Sequence, residues 1–120
     1  MEKAAVYAYK NCVTGKQAVE SQIAECRKFA ENSGLEIVEV YADIHTRSGR
    51  KKLLRESKKG NFSAVIVSSA DRIDRNRERF FRIVTALQKN GVKVYFANGG
   101  NTVEYFSFLK YCADLSTGRL

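Results

Sequence analysis

Two arginines three residues apart are the part of this sequence best suited to chemistry. Arg72 and Arg75 lie in the segment 71–75, Asp-Arg-Ile-Asp-Arg, which follows an apolar run at residues 64–67. Guanidinium groups bind phosphate and carboxylate oxygens in a bidentate manner, so two of them at a strand-to-helix junction could grip one anion. A charge run is also typical of an exposed, solvated surface. Spacing alone leaves both interpretations open.

The charge of the whole chain favours a polyanionic partner. Its 120 residues contain 21 Lys and Arg against 13 Asp and Glu, a formal charge of +8. This excess in a small domain indicates nucleic acid first and an anionic membrane surface second. It is densest in residues 47–59, where we expect either a solvated helix face or phosphate contacts that release counterions from DNA. The basic residues there are Arg47, Arg50, Lys51, Lys52, Arg55, Lys58 and Lys59.

Composition excludes several other classes of protein. Proline is absent and 44% of the residues are hydrophobic, which predicts one globular domain over residues 1–120 without a linker. No apolar run reaches membrane-spanning length and no signal peptide is evident, so we expect a soluble, cytoplasmic protein without a membrane partner. Cys12, Cys26 and Cys112 are far apart, and His45 is the only histidine. These residues predict reduced thiols, no metal site and no cofactor.

Hydrophobic periodicity predicts strands that alternate with helices. The predicted strands are residues 4–8, 35–41, 63–68 and 92–97, and the predicted helices are 17–32, 51–59, 77–90 and 102–115, with a loop at 43–49 and a turn at 98–101. This alternation is typical of an α/β domain with a mainly parallel sheet. Functional groups of such sheets gather at the carboxyl ends of the strands, where Tyr9, Asn11, Asp43 and Asp71 fall. The segment 102–115 is apolar on nearly all sides, which favours self-association over simple core burial.

The order of these elements resembles the N-terminal catalytic domain of serine recombinases, the resolvase/invertase family. The likeness covers residues 4–97, and its most specific part is residues 65–76, Val-Ile-Val-Ser-Ser-Ala-Asp-Arg-Ile-Asp-Arg-Asn, which looks like the family's strand and DRLSRN segment. The resemblance implies a three-layer domain with a sheet of four to five strands. It also implies a metal-free DNA strand transfer, in which a serine after the first strand attacks a phosphodiester and arginines stabilise the charge.

The resemblance also implies roles for individual residues. Arg72 and Arg75 match the paired arginines, Asp71 matches the acid before them, and Gln22 matches a glutamine near the site. A further arginine is expected after the second strand, where distance to Gly60 favours Arg47 and the local pattern favours Arg50; we prefer Arg47. The residues expected to contact DNA phosphates are Arg50, Lys51, Lys52, Arg72 and Arg75.

The nucleophile position departs from the family pattern. Where the family has Tyr-Ala-Arg-Val-Ser, residues 7–11 read Tyr-Ala-Tyr-Lys-Asn, so Tyr9 replaces an arginine and Asn11 replaces the serine. An amide nitrogen is a poor nucleophile, and we therefore expect an inactive recombinase domain of mobile-element origin. It would act as a DNA-binding regulator or relic, alone, as a homo-oligomer or beside an active recombinase, and we identify no separate DNA-binding domain. The alternatives are an oligomerisation module without DNA contact and a residual strand transferase that uses Cys12.

Overall fold

Four parallel strands form the centre of the fold. The computed structural model describes residues 1–12 and 14–98. Within them lie, in chain order, β1 (Glu2–Lys10), α1 (Lys16–Ser33), β2 (Leu35–Ile44), α2 (Ser48–Glu56), β3 (Ala64–Val67), α3 (Arg77–Lys89) and β4 (Lys93–Phe96). Short 3-10 turns at Ser57–Lys59 and Ala70–Arg72 follow α2 and β3. The strands pair in the order β2-β1-β3-β4, and every pair is parallel.

Helices cover both faces of the sheet, which gives three layers. Successive residues of β1 point to opposite faces because side chains alternate along a strand. Ala4 and Val6 pack with residues of α1 such as Cys26, whereas Ala5 and Tyr7 belong to the larger core that α2 and α3 cover. The predicted α/β class, the three layers and the mainly parallel sheet are confirmed, with four strands in the part of the chain that is described.

The sheet reverses its direction of growth at β1. From β1 the chain passes through α1 to β2 on one side, and then returns through α2 to β3 on the other side of β1. A crevice forms where neighbouring connections diverge in this way, outside the carboxyl ends of the two central strands. The residues after β1 therefore come close to those after β3, which are the segment 68–75. This proximity gives Arg72 and Arg75 a position beside Asn11.

The predicted elements that fall within the described residues are found, although several of their boundaries differ. The predicted loop at residues 43–49 is only partly a loop, because β2 continues to Ile44 and α2 already begins at Ser48. A left-handed Gly34 ends α1, as its position predicts. No helix within residues 1–12 and 14–98 is both long and apolar enough to cross a membrane. Most of the predicted turn at 98–101 and all of the predicted helix at 102–115, with its self-association surface, lie outside the described residues.

A buried carboxyl group explains why α2 begins early. The Asp43 side chain is only 2% exposed. Its oxygens accept hydrogen bonds from the backbone N–H groups of Gly49 at 2.7 Å and Arg50 at 3.0 Å. The first amides of a helix lack partners within the helix and usually bind the side chain of the preceding residue. Arg47 occupies that preceding position without capping the helix, so Asp43 caps α2 from the neighbouring strand.

Gly49 permits this close approach of helix and carboxyl group. A Cβ atom at position 49 would lie 2.6 Å from Oδ1 of Asp43. Alanine would therefore displace the carboxyl group from its hydrogen bonds, at a cost of about 1–3 kcal/mol. This loss should exceed the gain of about 1 kcal/mol in helix propensity. We expect Gly49→Ala to lower the free energy of unfolding, measured by urea titration.

Lys51→Ala is the matched control for this prediction. Lys51 is exposed on the same helix, and substitutions at such positions usually change stability by about 0.5 kcal/mol or less. A Gly49→Ala protein that is as stable as the Lys51→Ala protein would contradict the capping role of Asp43.

Candidate functional site

Two adjoining open spaces lie at the carboxyl ends of β1 and β3. The first, here named the arginine pocket, has a volume of about 340 Å³ and is lined by Tyr9, Asn11, Arg47, Arg50, Asp74, Arg75 and Arg79. The second, here named the adjoining cleft, has a volume of about 210 Å³ and is lined by Tyr9, Lys10, Asn11, Asp71, Arg72 and Arg75. Tyr9, Asn11 and Arg75 line both spaces, so the two form one continuous basic surface.

Most of the residues that the sequence nominates meet at this surface. Asn11, Arg47, Arg50, Asp71, Arg72 and Arg75 line one or both spaces. Lys51 and Lys52 line neither of them and are exposed along α2. Gln22 also lines neither and lies buried on α1. The structure thus brings six of the nine nominated residues together, while their roles in chemistry stay predictions.

Arg47 connects three parts of the site. Its Nη1 atom donates to the Tyr7 hydroxyl at 3.0 Å and to the backbone carbonyl oxygen of Arg72 at 2.7 Å. Its guanidinium carbon also lies 3.4 Å from the centroid of the Tyr9 ring. A cation so placed is attracted by the electron-rich face of the ring. Tyr9, where the resemblance predicts an arginine, therefore holds Arg47 in place.

The hydroxyl group of Tyr7 connects Arg47 to Asp43 by two hydrogen bonds. It donates to Oδ2 of Asp43 at 2.7 Å and accepts from Arg47. Burial, together with the hydrogen bond to Asp43, raises the pKa of Tyr7 well above its ordinary value. The phenol therefore stays protonated and keeps its proton directed at the carboxyl group. Arg47 is thereby tied to the same buried group that starts α2.

Arg50, about one helical turn after Arg47, supports the backbone next to residue 72. Its Nη1 atom donates to the carbonyl oxygen of Ile73 at 2.6 Å and to Oδ2 of Asp74 at 2.9 Å. The Arg50 side chain is only 14% exposed. Arg47 and Arg50 thus bind the carbonyl oxygens of consecutive residues, 72 and 73. Both arginines that compete for one family position help to hold the segment 71–75.

Arg72 and Arg75 differ from these two arginines because their guanidinium groups are uncommitted. Among residues 1–12 and 14–98, neither guanidinium makes a hydrogen bond or an ion pair. The Nε atom of Arg72 is buried and without a hydrogen-bond partner in the same part of the chain. A buried donor without a partner lowers the stability of the fold by about 1–3 kcal/mol. Such an atom is therefore usually hydrogen-bonded to water or to a ligand. Arg75 is exposed and lines both the arginine pocket and the adjoining cleft.

Gln22 positions the end of β1. Its Nε2 atom donates to the Tyr9 carbonyl oxygen at 2.8 Å, and its Oε1 atom accepts from the Tyr9 N–H at 2.9 Å. Strand β3 pairs with β1 only from Ala4 to Val6, so Tyr9 lies beyond the last residue with a strand partner on that side. The amide of Gln22 replaces that partner. Gln22 therefore fixes the backbone next to Asn11 without lining the surface.

Asn11, which the resemblance predicts at the nucleophile position, is exposed. Oδ1 of Asn11 lies 3.2 Å from Nδ1 of His45, which adopts a left-handed φ of 60° at the end of β2. Nothing in the sequence near His45 indicates this contact, because it joins residues 34 positions apart. Asp71 lies across the cleft and accepts a hydrogen bond from the Ser69 hydroxyl group.

The two cysteines in the described ranges have contrasting environments. A hydrogen bond with the Thr14 hydroxyl group lowers the pKa of Cys12, which lines neither space. Burial raises the pKa of Cys26 to about 12. No cluster of His, Cys, Asp or Glu within residues 1–12 and 14–98 could hold a metal ion.

Sequence reasoning missed the ion pairs around Asp74. This carboxylate is 6% exposed, and its Oδ2 atom accepts from Arg50 and from Nε of Arg79 at 3.0 Å. Its Oδ1 atom accepts from the Asn76 N–H at 2.8 Å. The sequence signal for the pairing with Arg79 is weak: Asp74 lies just before α3 and Arg79 lies in its first turn. Asp43 falls at a strand end in the sequence, but no pattern there reveals its partners.

Comparison with known proteins accounts for this combination of fold and arginines. The family model described as Resolvase, N terminal domain matches residues 6–113. The chain belongs to this family of serine recombinases. No curated protein sequence matches it.

Similar solved structures support the resolvase fold of the chain. The N-terminal catalytic domain of TP901-1 integrase has a TM-score of 0.81 at 18% identity, over 98% of this chain and 98% of that one. A resolvase family site-specific recombinase from Streptococcus pneumoniae has a TM-score of 0.81 at 20% identity, over 99% and 90%. The C-terminal catalytic domain of ISC1926 TnpA, an IS607-like serine recombinase, has a TM-score of 0.74 at 24% identity, over 93% and 83%.

The buried pairing of Asp74 predicts a specific pH dependence for the stability of this resolvase-like domain. Burial acts to raise the pKa of Asp74, but hydrogen bonds from Arg79, the Asn76 N–H and Arg50 outweigh it and lower the pKa overall. A pKa below the unfolded value of about 3.9 stabilises the fold above that pH, and the stabilisation is lost as pH falls through the folded pKa. We expect Asp74→Asn to lower the free energy of unfolding by about 1–3 kcal/mol at pH 7 and progressively less below about pH 4.

Glu78→Gln provides the control in urea titrations across this pH range. Glu78 forms an exposed pair with Arg82 at 4.0 Å, and such pairs contribute little to stability. An Asp74→Asn effect that stays constant from neutral to acidic pH would show that the charge of Asp74 is not what stabilises the fold.

Proposed function

We propose that this resolvase-like domain binds the DNA backbone through Arg72 and Arg75 and does not cleave it. The observation that carries the proposal is that these two guanidinium groups have no partner among residues 1–12 and 14–98, while Arg47 and Arg50 hold the segment that presents them. A phosphodiester offers the charge and the oxygen atoms that such groups recognise. The domain would serve as a recombination-associated regulator or a relic of a recombinase.

The surrounding residues fit a phosphate at this position. Arg47 retains donors beyond those bound to Tyr7 and to the Arg72 carbonyl oxygen, because a guanidinium group carries five N–H bonds. It would complete the cluster with Arg72 and Arg75. Lys51 and Lys52, exposed along α2, would contact neighbouring phosphates without reading sequence, as lysines on a nucleic-acid surface commonly do.

The absence of cleavage follows from Asn11 and Tyr9. In the family pattern a serine hydroxyl would attack the phosphorus atom, and Asn11 places an amide there instead. Tyr9 removes one of the arginines that would stabilise charge in the transition state. The remaining arginines would bind a phosphate without an adjacent attacking group. An active recombinase beside this chain would then supply any chemistry on the DNA of a mobile element.

Binding to duplex DNA in a salt series tests this proposal. We expect salt-dependent binding in gel-shift titrations, and Arg75→Ala should weaken it by about three- to tenfold at low salt and reduce the salt slope by about 1. Arg27→Ala is the matched control, since Arg27 is exposed on α1 and lines neither the pocket nor the cleft. Equal losses in the two variants, or no binding at about 50 mM salt, would refute a phosphate site at Arg75.

A second candidate function is strand transfer by Cys12. Cys12 adjoins Asn11, and its lowered pKa would increase the thiolate fraction. Because Cys12 lines neither space at the arginines, we expect no covalent protein–DNA adduct on a nicked suicide substrate in a denaturing gel. An adduct that disappears in Cys12→Ala and persists in Cys26→Ala, which removes the buried thiol, would instead establish a cysteine strand transferase.

A further inference from the structure

One carboxylate lies among the cations of the arginine pocket. Four arginines line this pocket, and among the described residues Asp74 is the one acidic residue with them. Two of the four arginines direct a nitrogen at the same oxygen, Oδ2, with Arg50 at 2.9 Å and Arg79 at 3.0 Å. The other oxygen accepts the Asn76 amide at 2.8 Å. This carboxylate is thus bound as an external oxyanion would be.

Carboxylates and phosphates compete for the same guanidinium groups because both offer anionic oxygens with a matching geometry. We propose that Asp74 is an internal anion that competes with a DNA phosphate for Arg79 and thereby sets the affinity of the arginine pocket. This inference rests on the proposed function and identifies how the same site is regulated.

The two partners of Asp74 differ in their freedom to change partner. The Arg50 side chain is 14% exposed and also donates to the Ile73 carbonyl oxygen, so it stays in place. The Arg79 side chain is 59% exposed, and its guanidinium group makes no other hydrogen bond among the described residues. A long, exposed arginine can rotate to a nearby phosphate at low cost. Arg79 is therefore the arginine that leaves Asp74 and binds a DNA phosphate.

Asp74 also explains how so many cations share one pocket. Unscreened guanidinium groups repel one another, and the repulsion grows as the site is removed from water. The single negative charge of Asp74 is shared between Arg50 and Arg79, whereas Arg72 and Arg75 have no counter-ion among the described residues. Arg72 and Arg75 can therefore bind a ligand directly. Arg79 is masked until a phosphate competes with Asp74, while Arg50 stays paired with the carboxylate.

Asp74→Asn tests the competition, with Asp71→Asn as the matched control. Both variants raise the net charge by one within the same segment, but Asp71 pairs with no arginine in the described part of the chain. Exposed ion pairs contribute up to about 1 kcal/mol, so we expect Asp74→Asn to bind duplex DNA about fivefold more tightly than Asp71→Asn at low salt. Its salt slope should be steeper by about 1. In Asp74→Asn with Arg79→Ala, this gain should disappear.

The outcomes separate this inference from the proposed function. Wild-type binding without a difference between Asp74→Asn and Asp71→Asn overturns the inference and leaves DNA binding intact. Binding by Asp74→Asn without binding by the wild-type protein overturns the proposed function, because Arg72 and Arg75 alone would then not hold DNA, but it supports competition by Asp74. If neither protein binds, both proposals fail.

A measurement on the wild-type protein covers the case in which Asp74→Asn does not fold. The Arg79 Nε–H resonance, assigned by its loss in Arg79→Ala, should shift on titration with a duplex oligonucleotide. An unchanged Arg79 resonance at saturating DNA would overturn the exchange of partners.

Discussion

The buried carboxyl group of Asp43 is the constraint on which the site depends. It lies on β2, caps the first amides of α2 and accepts a hydrogen bond from the Tyr7 hydroxyl group. A buried polar group must find partners or it costs free energy, so these three contacts are obligatory rather than incidental. They determine where α2 begins. Because Arg47 and Arg50 stand at that helix start, the same carboxyl group determines where both arginines point.

Arg47 and Arg50 then hold the backbone on the other side of the crevice in position. Arg47 and Arg50 bind the carbonyl oxygens of residues 72 and 73, which follow β3 rather than β2. The segment 71–75 follows β3 but is supported by the start of α2, the helix that follows β2, and β2 and β3 are not neighbours in the sheet. Arg47 and Arg50 are used to build the site, whereas the guanidinium groups of Arg72 and Arg75 have no partner in the described part of the chain. A charge total of +8 does not distinguish these groups; their hydrogen-bond partners do.

Much of the fold could be predicted from local patterns. The strand and helix order follows from hydrophobic periodicity, and Arg72 and Arg75 follow from their position after a buried strand. Gln22 was nominated through family resemblance, but its role as a substitute strand partner for Tyr9 was not predictable. The resemblance predicts one arginine at this position, either Arg47 or Arg50, whereas both side chains reach the segment 71–75. Spacing along the chain cannot choose between them, because the two residues are only three positions apart at the start of one helix.

The sequence by itself determined the α/β class, the pair of arginines after β3 and the asparagine at position 11. These are properties of residue type and short-range order. Only the tertiary structure decided which cations are committed and which are available, since the partners of Arg47 and Arg50 lie 23 to 40 positions away. It also decided that Asp74, one charge among many in the sequence, lies buried between Arg50 and Arg79. Pairing at such separations depends on the chain reversal at β1, and no local pattern encodes it.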